Sequence, residues 1–451
     1  MRKVTIFLIC CLCFVTLSAP LSASAAYVPE KDVNSETAYM VNIDTGTVIF
    51  KKDENKKMYP ASFTKIMTFI VATEALKGQD LKGVMVTAPS YIYDELYGLG
   101  ASTADIRQGE KVSMYDLLHA MLIPSACEAA SIVADYVGKG SIPKFVEQMN
   151  AKAKALGANN SHFVNAHGLH NPDQLSTAYD MYLITREAMK NPLFMEICSK
   201  SRYTMTPTEK HPASSKWIIT NTNWMMDKVL GGTKYYYPYV KGIKTGTTDE
   251  SGKNLITSAA KDGYNYLLVT MGAPVKYPNG DKINDILSFI DHKSLYAWAF
   301  DKYKVKTVLK ANETIQEVKL KNCWGTDHML LAPAKDVTAL LPSDVDVTSI
   351  QRIPQVPSEI KAPIQKGDKV GTVKLKLADE TFLTVDLVAT ADAKRSTLLF
   401  VWNGILSVFS SFWFKLAVIL CILAVGGYIV FMISVNKKRK KYKVIKRKRR
   451  F

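Results

Sequence analysis

Little in this chain of 451 residues can hold it together covalently or through a metal. Seven cysteines are present, but Cys10, Cys11 and Cys13 lie in an N-terminal apolar run and Cys421 in a C-terminal one. Only Cys127, Cys198 and Cys323 fall in the body between, widely spaced and with no C-x-x-C among them, so no disulfide framework is readable. His-Glu-x-x-His is absent, and although His162, His167 and His170 stand near one another, no metal or other cofactor is expected. Acidic residues are outnumbered, 41 against 58 Lys and Arg, a net charge of +17. That excess is local. Residues 436–451, NKKRKKYKVIKRKRRF, carry eleven Lys or Arg and no acid, and without those eleven the rest of the chain keeps +6. A nucleic-acid partner would rest on the tail alone and is not expected. Repeats and long low-complexity stretches are also missing. Hydrophobic content of 47% and charged content of 22% suffice for two or three packed domains.

The two ends read as addresses. Arg2 and Lys3, the apolar stretch Val4 to Leu17, and Ala23-Ser24-Ala25 make a signal peptide over residues 1–25. No cysteine follows the small residue that a lipid-attachment site needs. Leu416 to Val435 is uncharged and apolar over a length that spans a hydrocarbon core, so residues 416–435 are expected to be a transmembrane anchor. The basic cluster after it should stay cytoplasmic (436–451), leaving the bulk of the chain outside the cell membrane. Residues 396–414, with Trp402, Phe409, Trp413 and Phe414, are expected to lie as an interfacial segment on the outer leaflet.

Between the ends, Tyr39 to Ile43 and Thr47 to Phe50 flank Asp44-Thr45-Gly46 as a hairpin. Residues 62–77 show helical spacing, with Ile66, Phe69, Ile70, Thr73 and Leu76 on one side and Gly78 as a stop. Further helices are expected near 113–122, 125–137, 144–156, 177–190 and 283–300, and strands over Tyr237–Lys244 and Tyr264–Met271. Strands at both ends with helices between give an α+β fold, one sheet covered by helices. Past residue 302 the short runs Ile315–Leu320, Val347–Arg352, Lys369–Leu377 and Phe382–Val388 alternate between turns, so 303–392 is read as a small all-β domain.

Three short strings can carry chemistry. In Ser62-Phe63-Thr64-Lys65 a spacing of three sets hydroxyl and amine on one helical face, and the helix start offers unpaired N–H groups to an oxyanion. Ser-x-x-Lys also begins at Ser141, Ser258, Ser358 and Ser434, but only Ser62 heads a long amphipathic helix preceded by an apolar hairpin. The second string is Ser125-Ala126-Cys127, which alone could be a helix cap and a buried thiol. The third, Lys244-Thr245-Gly246, occurs once, on a run that reads as a strand entering a turn.

In this order the three strings resemble the penicillin-binding protein and serine β-lactamase superfamily. Gly100-Ala101-Ser102-Thr103, Gln108-Gly109-Glu110-Lys111-Val112-Ser113, Leu122-Ile123-Pro124-Ser125, Ser161-His162-Phe163 with His167-Gly168-Leu169, and Gly242-Ile243-Lys244-Thr245-Gly246 are similar to one branch, the low-molecular-mass D-alanyl-D-alanine carboxypeptidases. Ile360-Lys361-Ala362-Pro363 with Lys366-Gly367 matches that branch's C-terminal β-domain. The resemblance implies a β-lactamase/transpeptidase-like catalytic domain over 27–302. It also implies a peptidoglycan stem peptide ending in D-Ala-D-Ala as substrate, and β-lactam antibiotics as covalent inhibitors. Ser62 would attack the carbonyl between the two D-alanines, Lys65 would serve as base, and Ser125 would relay a proton to the leaving amine. Lys244, Thr245 and Gly246 would hold the terminal carboxylate, and Thr247 would join Ser62 in the oxyanion hole.

One position departs from the pattern. The second string usually ends in Asn, which donates and accepts hydrogen bonds, whereas Cys127 does both weakly. A wall-binding protein with lost turnover is therefore an alternative. A β-lactamase is another, although the Glu-x-x-Leu-Asn string that one large group needs does not occur between Ser125 and Lys244.

Overall fold

The structure, a computed structural model, describes residues 32–378 and 380–448. The leader expected at 1–25 lies outside the described residues. Two compact units are present. One holds the chain up to Lys306 with Ala339–Gln351 and Lys376–Leu383, and the other holds Thr307–Thr338, Arg352–Leu375 and everything from Thr384.

The first unit is layered around five antiparallel strands. The hairpin strands β1 (Thr37–Asn42) and β2 (Val48–Lys52) lie at one side, and β3 (Lys244–Thr248), β4 (Gly252–Lys261) and β5 (Tyr264–Ala273) complete the order β2-β1-β5-β4-β3. Alternation along β1 sends Tyr39 and Val41 to one core and Ala38 and Met40 to another. The first core collects helices α1 (Thr64–Ala75), α2 (Met114–Leu122), α3 (Cys127–Val137), α4 (Ile142–Ala155) and α5 (Ala178–Ala188). The second is closed by α6 (Leu287–Lys302), whose Phe289, Leu295, Tyr296, Ala299 and Phe300 cover the opposite face. A helix–sheet–helix sandwich results.

Several expectations needed correction. Residues 62–77 do not form one amphipathic helix: Ala61–Phe63 is a 3-10 turn, and α1 begins at Thr64. Every residue of α1 from Thr64 to Ala72 is buried, polar ones included, because helices and sheet surround it. Tyr237–Ile243 is not regular strand but an irregular run beside β4, joined to it by the bridge of Val240 with Ala259 and by backbone hydrogen bonds from Lys241 to Ser258 and from Ile243 to Ile256. Pro238 has no N–H to give, and Gly242 takes φ +93, so regular pairing starts at Lys244. Strand β4 and the helices Tyr91–Leu96, Pro192–Cys198 and Lys228–Tyr235 were not foreseen, and α6 sits later than 283–300.

Past α6 the chain forms a six-stranded sheet, with strands at Gln316–Lys321, His328–Ala332, Gln351–Gln355, Glu359–Lys361, Lys369–Leu377 and Glu380–Ala389. Val347–Ser349, read as strand, is a 3-10 turn capped by Asp346. The segment expected over 396–414 is helix α7 (Thr397–Ser410), broken at Ser411. Phe412–Phe414 instead open the long helix α8 (Phe412–Lys448). Phe412–Lys437 of α8 is long and apolar enough to cross a membrane, with none of it buried against protein.

Candidate active site

The turn carrying Ser62 is held in place from three directions. Asn254 on β4 donates from its side chain to the Tyr59 carbonyl at 2.9 Å, fixing the segment just before the serine to the sheet. Gly246 on β3 passes so close that a Cβ there would stand 3.1 Å from the Pro60 carbonyl oxygen and 3.3 Å from the Ser62 nitrogen. Gly168, at φ +84, is tighter still, since a Cβ would come within 2.1 Å of the Ala61 carbonyl oxygen. Only glycine fits there. Ala61 itself is at φ +48, a conformation costly for a residue with a Cβ.

Lys65, one turn into the chain from Ser62, is wholly buried. Its Nζ donates to Ser62 Oγ at 3.1 Å, to the His167 carbonyl oxygen at 2.5 Å and to Cys127 Sγ at 3.5 Å. Segments separated by 62 and 102 positions thus meet on one nitrogen. Ser125 stands at φ +70 between α2 and α3, and its hydroxyl is buried with no hydrogen-bond partner among the described residues. A buried, unpaired hydroxyl costs stability unless something arrives to use it.

Lys244 is buried almost as completely, and among the described residues only the Thr245 carbonyl accepts from its Nζ, at 3.1 Å. Lysine is rarely buried without a counter-charge. Desolvation, helped by repulsion from Lys65, pushes its pKa down from the ordinary 10.5 to about 7. Thr245 shares a 2.6 Å hydrogen bond with the Thr222 hydroxyl, while Thr247 is exposed on the strand. Among the described residues neither Lys65 nor Lys244 is salt-bridged to a carboxylate, an environment suited to a bound anion.

The loop before α2 is fastened to the same place. The Cys127 N–H donates to the Ser102 carbonyl at 2.8 Å, and the buried Glu128 carboxylate accepts from Thr103 Oγ1 and the Ala104 N–H, both at 2.7 Å. Burial raises the Glu128 pKa. Ala104, Glu128 and Thr222 escaped sequence reasoning, whereas Gly100-Ala101-Ser102-Thr103 and His167-Gly168-Leu169 were visible as strings without the contacts that they make. Among the described residues no group of His, Cys, Asp and Glu converges as metal ligands. His162 faces the Asp173 carbonyl, His167 faces Glu95 and His170 faces Glu250.

Residues 22–275 match the family described as D-alanyl-D-alanine carboxypeptidase. The chain belongs to that family. Residues 303–395 match the C-terminal domain of penicillin-binding protein 5. The D-alanyl-D-alanine carboxypeptidase DacF of Bacillus subtilis is 29% identical over 363 residues, 80% of this chain and 86% of its own length. DacC of Escherichia coli is 26% identical over 409 residues, 89% of this chain and 95% of its own. Penicillin-binding protein 5 from Haemophilus influenzae shares the fold, with a TM-score of 0.62 at 24% identity, over 82% of this chain and all of that one. The DD-transpeptidase of Streptomyces K15 superimposes with a TM-score of 0.53 at 27% identity, over 61% of this chain and all of that one. That transpeptidase has also been solved with a serine, and separately with a cysteine two positions on, replaced by alanine. The spacing is that of Ser125 and Cys127 here.

Proposed function

We propose that this carboxypeptidase removes the terminal D-alanine from peptidoglycan stem peptides through an acyl-enzyme on Ser62. Lys65 takes the Ser62 proton as Oγ attacks the carbonyl between the two D-alanines, and the N–H groups of Ser62 and Thr247 receive the oxyanion. Ser125 relays a proton to the departing amine, so the peptide C–N bond breaks and D-alanine leaves. Water then attacks the ester and restores Ser62. Lys244 and Thr245, beside Gly246, hold the terminal carboxylate, and the same grip would seat the carboxylate of a β-lactam. Cys127 takes up the Lys65 contact that Asn makes elsewhere in the superfamily.

One observation carries this reading: the Lys65 nitrogen lies 3.1 Å from Ser62 Oγ and 3.5 Å from Cys127 Sγ, joining the first two strings. Release of D-alanine from a pentapeptide by the purified protein, abolished in Ser62→Ala, is the expected result. Rapid penicillin hydrolysis without D-alanine release would favour a β-lactamase, and neither activity would favour a wall-binding protein.

For location, α8 would cross the cell membrane once, with the basic tail inside and the chain ahead of α7 outside. Helix α7 would lie on the outer leaflet, its Leu398, Val401, Trp402 and Ile405 forming one exposed apolar stripe.

A further inference from the structure

The Ser125-Ala126-Cys127 string is braced by residues 102–105, a stretch that belongs to no helix or strand. Its near side meets α3 through the Ser102 carbonyl, Thr103 and the Ala104 N–H, which engage Cys127 and Glu128. Its far side meets the loop that precedes β3: the Ala104 carbonyl accepts from Trp217 Nε1 at 2.8 Å. Asp105 follows at φ +63, a conformation that a residue with a Cβ keeps only when its surroundings hold it.

His211 does the holding. It is buried, and its ring lies flat on that of Trp217, with centroids 4.0 Å apart and planes 16° from parallel. Nδ1 stands 2.7 Å from Glu110 Oε1, and Nε2 stands 3.0 Å from Asp105 Oδ2. Both carboxyl groups are placed as acceptors. Glu110 also receives the Thr208 hydroxyl and the Arg107 N–H, and Asp105 the Arg107 guanidinium. A neutral imidazole has one N–H, so only the imidazolium donates at both ends. The face of Trp217 favours that cation as well. Burial works against the charge, but the hydrogen bonds to Glu110 and Asp105 outweigh both burial and the repulsion of Arg107, raising the pKa above the ordinary 6.5. The neighbouring Lys210 turns its ammonium to the Gln108 carbonyl.

We propose that His211 is a positioning residue for the reaction on Ser62: as an imidazolium it clamps Asp105 to Glu110 and so holds residues 102–105 against the Ser125-Ala126-Cys127 string. The role rests on the reading above, in which Ser125 and Cys127 serve the acylation step. When the proton leaves, one end of the clamp must let go. The Asp105 side chain is 65% exposed and that of Glu110 is not exposed at all, so water takes over at Asp105. The support is therefore complete below the raised pKa and loosens as the pH climbs through it.

The test follows the rate at which a fluorescent penicillin labels the full-length protein in detergent, at about pH 6 and about pH 9, in wild type, His211→Asn and Asp105→Asn. Comparing proteins at one pH cancels the titration of Lys244, which all three share. Wild type should exceed His211→Asn by about three- to thirty-fold at the lower pH and match it at the higher. Asp105→Asn should equal wild type at the lower pH and outpace it at the higher, because its amide donates to a neutral Nε2 while Nδ1–H still donates to Glu110. A ratio of wild type to His211→Asn that is the same at both pH values overturns the role. So does an Asp105→Asn enzyme that slows with rising pH as wild type does, a comparison that stands even where His211→Asn fails to fold. An imidazole titration by NMR that puts the wild-type His211 at or below 6.5 overturns it too. A wild type that penicillin never labels takes down the Ser62 reading and this role together, whereas the other contrary results leave that reading standing.

Discussion

At the scale of single residues, two buried lysines with different surroundings do most of the explaining. Lys65 has three acceptors around its nitrogen, whereas Lys244 has one and sits near its like-charged neighbour. With its pKa at about 7, Lys244 is cationic below that pH and neutral above it. The advantage of a carboxylate-bearing substrate over its ester should therefore be greatest on the acid side and decline above neutrality. It is measured as the ratio of acylation rates for a β-lactam and its carboxyl ester between about pH 6 and 9. A flat ratio would count against Lys244 as the carboxylate's partner. Cys127→Asn should preserve or raise the penicillin acylation rate, because Asn supplies a stronger contact to Lys65 than sulfur does. Complete loss of labelling would give the thiol a role of its own. Gly168→Ala should slow acylation by at least about 100-fold, since the added carbon displaces the turn that aims Ser62. An unchanged rate in a folded variant would remove that turn from the account.

Elements decide how those residues meet, and here the sequence was only partly legible. Ser62, Lys65, Ser125 and Lys244 could be found because their side chains occur in short strings. Their supports could not. The His167 and Ser102 carbonyls are backbone atoms, which no string of side chains announces, and Glu128 and Thr222 reach the site only through long-range folding. Strand β4 was missed because its centre, Asn254 to Ser258, is buried on both faces and shows no alternation. Helix α1 was read as amphipathic because its apolar positions keep helical spacing, yet its polar positions are buried as well. The helix is thus an interior strut. Phe69, its ring tilted against that of Phe194 with centroids 5.1 Å apart, lies at its middle. Phe69→Ala should cost about 3–5 kcal/mol in urea unfolding, and a loss below about 1 kcal/mol would mean that the surroundings collapse onto the gap.

Across the whole molecule, the chain places a carboxypeptidase unit and a β-rich unit ahead of an apolar helix of membrane-spanning length. If α8 is the anchor, full-length protein should remain with membranes through an alkaline wash, whereas a chain ending at Ser411 should be released. Retention of the shortened chain would shift the anchoring to α7. Everything about the reaction depends on Ser62 being the atom that is acylated. The most direct measurement is mass spectrometry of the protein digested after penicillin treatment. The adduct should fall on the peptide containing Ser62 and vanish in Ser62→Ala; an adduct elsewhere, on Ser125 or Cys127 for example, would contradict the account.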